Sequence, residues 1–288
     1  MLESLINPQK KERGPIKMLF VGILYASLSL LLVKWFFGAD PVLSKYSGFI
    51  VIAFCIMFTL PFMYYLIKQE EEEDENAEGI YNVWKAHGDA LYAFMWLFLG
   101  MIIAFSFWNI VLEDPNLFNA QLETYCQINS PGNVKGCIER YSFGASPSIT
   151  GEALSKSELR LLAIIENNVY VMIFTLLFSL IFGAGAIFVL AWNASVISTA
   201  ISVFTKSDVT QIPTGILRYM IHGFPEIAAY FITALAGGIF GVGILRNGIK
   251  DHKFLRVLEN TFLLLFTAIF IILIAGVIEV YFTPLFFK

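Results

Sequence analysis

Six stretches of the chain are apolar for roughly 20 residues each: 18–37, 49–67, 91–112, 169–192, 227–245 and 262–282. At the rise of an α-helix, that length covers a hydrocarbon core about 30 Å thick. None of the stretches alternates as a barrel strand does, and in lipid only a helix or a closed barrel satisfies its own backbone. The pattern predicts an all-α, polytopic transmembrane bundle of about six spans forming a single integral membrane domain over 1–288. The first stretch is too long for the core of a signal peptide, and no Ala-x-Ala-like cleavage site follows it. It reads as a retained span, with Lys34 near its end placed to snorkel.

Between the fourth and fifth stretches the pattern breaks. Residues 196–204 are apolar but too short to cross, and Ser195, Ser198, Thr199 and Ser202 interrupt them. A re-entrant or interfacial pair of short helices is expected across 194–224. Gly223 is a natural helix stop and Pro225 suits the first position of the next helix. Glu226 then falls in a first turn, where the helix dipole favours a carboxylate, and His222 lies just before the break. Two such helix ends either line a site or only orient the fifth span.

Charge sets the expected orientation. Lys10, Lys11, Arg13 and Lys17 place the N-terminus in the cytoplasm. The acidic loop 69–88 is then cytoplasmic too, and its run at 70–75 reads as solvated and mobile, either a charged tether or a docking site for a basic partner. Loop 113–160 falls outside and contains Cys126 and Cys137, a pairing expected to form a disulfide in an oxidising compartment. Cys55 lies alone in a span, and no His falls within that loop to complete a metal site. Ser155 and Glu158 have the spacing of a capping box that opens the helix leading into span four. With six crossings, the link carrying Arg246, Lys250, Lys253 and Arg256 falls outside, against the positive-inside tendency. A crossing by 194–204 would bring it back inside.

Composition agrees with a membrane protein. The 288 residues are 57% hydrophobic and 15% charged, with 28 Phe, and the mean hydropathy is +0.70. A soluble domain of this size needs more polar surface. No basic patch with interleaved aromatics suggests a nucleic-acid partner. Asn193-Ala194-Ser195 matches a glycosylation sequon, but it falls within the membrane or on the cytoplasmic side and reads as accidental.

Polar residues inside spans are costly and mark candidate sites. Asn167, Asn168, Asn193, His222 and Glu226 form the candidate polar cluster between spans four and five, and Glu279 lies in span six. Gly237 and Gly241 have the spacing that lets helices approach closely, with Gly183 and Gly185 as a partner surface. No Walker loop, zinc-binding His-Glu-x-x-His or Gly-x-Ser-x-Gly elbow is present, so neither cofactor nor metal is expected.

The order of Asn167-Asn168, a Gly-rich span with Gly183 and Gly185, Asn193, His222-Gly223-x-Pro225-Glu226 and a second Gly-rich span resembles the stage II sporulation protein M family. The resemblance covers about 161–245, and it departs at Ala194, where the family commonly has Gly. It implies a multi-pass membrane protein without known catalytic activity. The family's namesake takes part in septal-membrane remodelling during engulfment, with cell-wall hydrolases that it helps to localise. The leading expectation is therefore a non-enzymatic scaffold in the cell membrane. Its partners would be lipid and other membrane or envelope proteins, and self-association into a homo-oligomer is compatible with it. A transporter or permease subunit with a polar site at the broken helix is the alternative, and an intramembrane hydrolase ranks below both.

Overall fold

The computed structural model describes residues 13–114, 116–130, 132–141, 157–182, 187–247 and 252–286. Every regular element among them is helical. Seven helices are long and apolar enough to cross a membrane. They are α1 (Pro15–Phe37), α2 (Ser47–Asp74), α3 (Gly79–Leu112), α6 (Ser157–Phe182), α7 (Ile187–Thr205), α8 (Ile212–Asn247) and α9 (His252–Val277), the last extended by a π-helical turn, Ile278–Phe282. Two short helices, α4 (Asn119–Asn129) and α5 (Val134–Tyr141), lie between α3 and α6. The Cys126–Cys137 disulfide staples them together as expected.

The all-α polytopic bundle is the architecture the hydropathy predicts, but the spans number seven rather than about six. The expected fourth span, 169–192, is divided: α6 ends at Phe182 and α7 begins at Ile187. The segment expected to be a re-entrant or interfacial pair, 194–224, is divided between two spans: 194–205 completes α7 and 212–224 opens α8. The hydroxyls at 195, 198 and 199 do not interrupt a span, because each bonds within its own helix. Ser195 donates to the Trp192 carbonyl at 2.8 Å, Ser198 to Ala194 at 2.7 Å and Thr199 to Ser195 at 3.1 Å. A hydroxyl satisfied by its own backbone exposes little polarity to lipid. Gly183 and Gly185, and Ser155 of the proposed capping box, lie outside the described residues.

The helix break expected at Gly223–Pro225 is also absent, since α8 runs unbroken through Pro225. Proline has no N–H to give, so the Ile221 carbonyl loses its intrahelical donor. Burial outweighs that loss, as α8 is the most buried of the seven spans. Glu226 is therefore a mid-helix residue and not a first-turn cap.

Contacts fix the path of the chain. Arg13 at the start of α1 reaches Glu70 near the end of α2, and Lys34 near the end of α1 pairs with Asp114 just past α3. On that second face the Asn119 amide donates to the Lys45 carbonyl at 2.6 Å, which docks the disulfide-stapled pair. Helices α6 and α8 run parallel, with Asn168 level with Glu226 and the Ser179 hydroxyl donating to the Ala234 carbonyl. Arg256 near the start of α9 pairs with Glu78 at 2.5 Å and donates to the Glu75 carbonyl at 3.1 Å. The α8–α9 connection thus returns to the face that holds the N-terminal end of α1 and the α2–α3 turn. The seventh helix removes the conflict that six crossings created for the basic link.

The acidic run at 70–75 is expected to be solvated, and most of it is not, although Glu72 is exposed. Helix α2 continues to Asp74, and Glu70, Glu71 and Asp74 are fully buried. Arg13 donates to Glu70 at 2.5 Å and to Gln69 at 2.5 Å. His87 of α3 places Nδ1 3.0 Å from Glu70 and Nε2 2.9 Å from Asp74. Both ring nitrogens face carboxylates, so both must carry a proton to make both bonds. Two cations then meet two carboxylates, which offsets most of the cost of burial, while Asp74 Oδ2 remains buried without a hydrogen-bond partner among the described residues.

Phenylalanines fill the centre of the bundle. Phe94 of α3 stacks on Phe231 of α8 with ring centroids 4.3 Å apart, and Phe62 of α2 meets Phe94 edge-on at 6.4 Å. Helices α1 and α3 pack backbone to backbone through Gly22 and Gly100, two glycines that hydropathy does not single out. A Cβ on Gly22 would overlap the Leu97 carbonyl oxygen, and one on Gly100 would overlap that of Leu19. Gly22→Val should therefore lower stability by roughly 1–3 kcal/mol through overpacking. Gly88 of the same α3 has open space around it, and Gly88→Ala should add about 0.5–1 kcal/mol from helix propensity. Thermal unfolding in detergent reads both, and a Gly22→Val protein as stable as the parent contradicts the close packing.

Candidate functional site

The intramembrane polar residues gather where α6, α8 and the end of α9 meet. Tyr230 donates its hydroxyl to the Asn168 carbonyl oxygen at 2.7 Å, and the Asn168 amide donates to Glu226 at 2.9 Å. Glu226 also hydrogen-bonds the Glu279 carboxyl, which projects from the π-helical turn. One turn before Glu226, His222 Nδ1 lies 3.3 Å from the Thr283 hydroxyl. Asn168 and Tyr230 are buried, whereas Glu226, His222 and Glu279 are half-buried.

Each side chain reaches this point for a local reason. Glu226 and Tyr230 are four apart on α8 and so share one face. Asn168 faces them because α6 runs parallel to α8 at close range. A Cβ on Gly237 would lie 3.0 Å from the Leu176 carbonyl oxygen, and one on Gly241 would lie 2.6 Å from that of Leu180. These are the small-xxx-small contacts read from the sequence, and their partner surface is Leu176 and Leu180 of α6. Glu279 is turned inward by a π-helical stretch, a deviation that recurs at functional sites in other helices. Two carboxyls in contact can share a proton, and an amide and a phenol hold them in place.

Of the five residues expected to cluster, the structure brings together Asn168, Glu226 and His222. Asn167 is one position along α6 and points elsewhere, exposed at the surface. Asn193 lies on α7 and donates to its own Val189 carbonyl at 2.7 Å. Tyr230 and Thr283 are members that the sequence reading missed. Tyr230 was detectable, since it follows Glu226 by one helical turn in a polar-poor span, whereas Thr283 depends on how the last helix folds back. Among the described residues, no group of three or more His, Cys, Asp or Glu is placed to hold a metal ion.

Fold and site together define a multi-pass membrane bundle braced by buried polar contacts between helices. The family model for stage II sporulation protein M matches residues 90–284. The chain belongs to that family, and the match extends well beyond the 161–245 of the sequence resemblance, taking in α3 and α9. No curated protein matches the chain. No solved structure matches it either.

The cluster's geometry makes Asn168 its keystone, because it bonds Tyr230 and Glu226 at once. Asn168→Leu should cost roughly 1–3 kcal/mol by leaving both partners unsatisfied, whereas Asn167→Leu should change stability little. Melting temperatures of the two variants in one detergent provide the comparison. Equal losses would show that Asn168 is not the tie.

Proposed function

We propose that this protein is a non-enzymatic scaffold in the cell membrane that organises other membrane or envelope proteins. The observation that carries the reading is the use made of the intramembrane polar groups. Asn168, Tyr230, Glu226 and Glu279 bond to one another across three helices. Groups spent on mutual bonds brace helices and fix the surface the bundle presents. Membership of the sporulation protein M family supports the same role. The disulfide-stapled pair α4–α5, docked on one face, offers a rigid surface for an envelope partner.

In this reading the N-terminus is cytoplasmic. Arg13, Lys17 and Arg256 then lie on the inner face, as the positive-inside tendency favours, and the disulfide lies in the oxidising compartment. The carboxyl pair at a π-helical turn favours one second reading, a proton-coupled permease subunit.

Glu226→Gln separates the two. Under the scaffold reading it lowers recovery of co-purified partners or accumulation of the protein, and liposomes holding the wild-type chain show no solute or proton flux. Flux by the purified chain that Glu226→Gln abolishes would establish the permease instead.

A further inference from the structure

Asn167 and Asn193, which the polar cluster leaves out, meet at a different place. They line a cavity of about 410 Å³ between α6 and α7, roofed by Thr124 and Ile128 of α4. Tyr170 and Phe174 of α6 and Trp192 of α7 supply its apolar walls. Among the described residues, no Asp, Glu, Lys or Arg lines it.

Its α6 wall faces the bilayer. Helix α6 is the least buried of the seven spans, and Tyr170 and Phe174 are 64% and 45% exposed. The medium that reaches the cavity from that side is lipid. The roof is the disulfide-stapled pair, which sits on the face where α1 ends and α2 begins, so the cavity belongs to the leaflet on that face.

Three uncharged polar groups in this apolar wall still have hydrogen-bonding capacity to offer. The Asn167 amide bonds to none of the described residues. Asn193 spends its N–H on Val189, which leaves its carbonyl oxygen available. Thr124 donates to the Ala120 carbonyl at 2.8 Å and keeps its lone pairs. Amide groups in an apolar setting cost free energy unless a partner satisfies them.

Size narrows the occupant. A volume of 410 Å³ falls within the range of small-molecule sites, about 300–1,000 Å³. A helix about 10 Å across would fill it with a single turn, so a partner span cannot insert. A single lipid chain can. The geometry points to a binding site for a glycerol-based membrane lipid, with one chain in the cavity and its glycerol-level oxygens and hydroxyls at Asn167, Asn193 and Thr124. A charged headgroup, if present, would project past Thr124 into the interface, which explains why uncharged groups suffice in the wall.

The test uses the full chain reconstituted in sphingomyelin vesicles, whose lipid has no glycerol backbone, containing a trace of phosphatidylglycerol with a diazirine on one acyl chain. After photolysis, peptide mass spectrometry maps the adducts. Labelling should concentrate on 167–174 and 188–196 and exceed that on Phe266 and Phe270 of α9, which are 71% and 62% exposed to the same lipid. Excess unlabelled phosphatidylglycerol should compete at the cavity and not at α9. Val196→Trp, which fills the cavity from a half-buried lining position, should remove the cavity adducts and spare those on α9. Asn167→Leu, at an exposed position that folding does not need, should lower them about tenfold, the equivalent of 1.4 kcal/mol. Cavity labelling no denser than on α9 and insensitive to competitor and to Asn167→Leu would overturn the site, as would cross-links to a second copy of the chain at these residues.

Discussion

Inside a bilayer a polar side chain has no water to turn to, and leaving it unsatisfied costs several kcal/mol. Much of this protein can be traced to that constraint. Hydroxyls bend back onto their own helices, as Ser29 does to the Tyr25 carbonyl, Thr59 to Cys55 and Thr233 to Ala229. Groups too long or too numerous for that solution must cross to a neighbour. Asn168, Tyr230, Glu226 and Glu279 therefore draw α6, α8 and the end of α9 to one point. The glycines at 237 and 241 make the approach short enough for those bonds to close.

The same logic governs the end of the bundle, where charges replace amides. Arg13 and His87 sit among Glu70 and Asp74, so α1, α2 and α3 are joined by matched charge at the point where they leave the apolar zone. Asn260 of α9 adds a hydrogen bond to the Ala77 carbonyl at 3.1 Å, and Arg256 adds its pair with Glu78. A buried charge that loses its partner is far costlier than one at the surface. This cluster thus holds the α2–α3 turn against both ends of the chain's path. It lies partly outside the span of the family match, which begins at residue 90.

Most of the spans, the helical class, the Cys126–Cys137 pair and the Asn168–Glu226 contact were legible in the sequence, because each rests on a local rule of length, composition or helix face. Four features were not. Residues 196–204 looked too polar and too short because a count of hydroxyls ignores their bonds to the preceding turn. Pro225 looked like a break because propensity is silent on the burial that keeps α8 continuous. The acidic run looked solvated because its partners, Arg13 and His87, are distant along the chain and become neighbours only after folding. The Gly22–Gly100 approach was hidden for the same reason, as neither glycine sits in a recognisable spacing of its own.

The central claim is that α7 crosses the membrane, which makes seven spans and puts the α7–α8 turn on the same side as the disulfide. Asp208 lies in that turn and its side chain is exposed. Its carboxylate accepts bonds from the Thr210 N–H and hydroxyl, which hold it below the usual carboxylate range and keep the turn formed. A Cys at position 208, in a background with Cys55 replaced and the disulfide intact, can be probed on whole cells with a membrane-impermeant maleimide. The account predicts labelling of intact cells there and, for a Cys at position 72, labelling only after permeabilisation. Position 208 reacting only after permeabilisation would return the chain to six crossings and contradict the account.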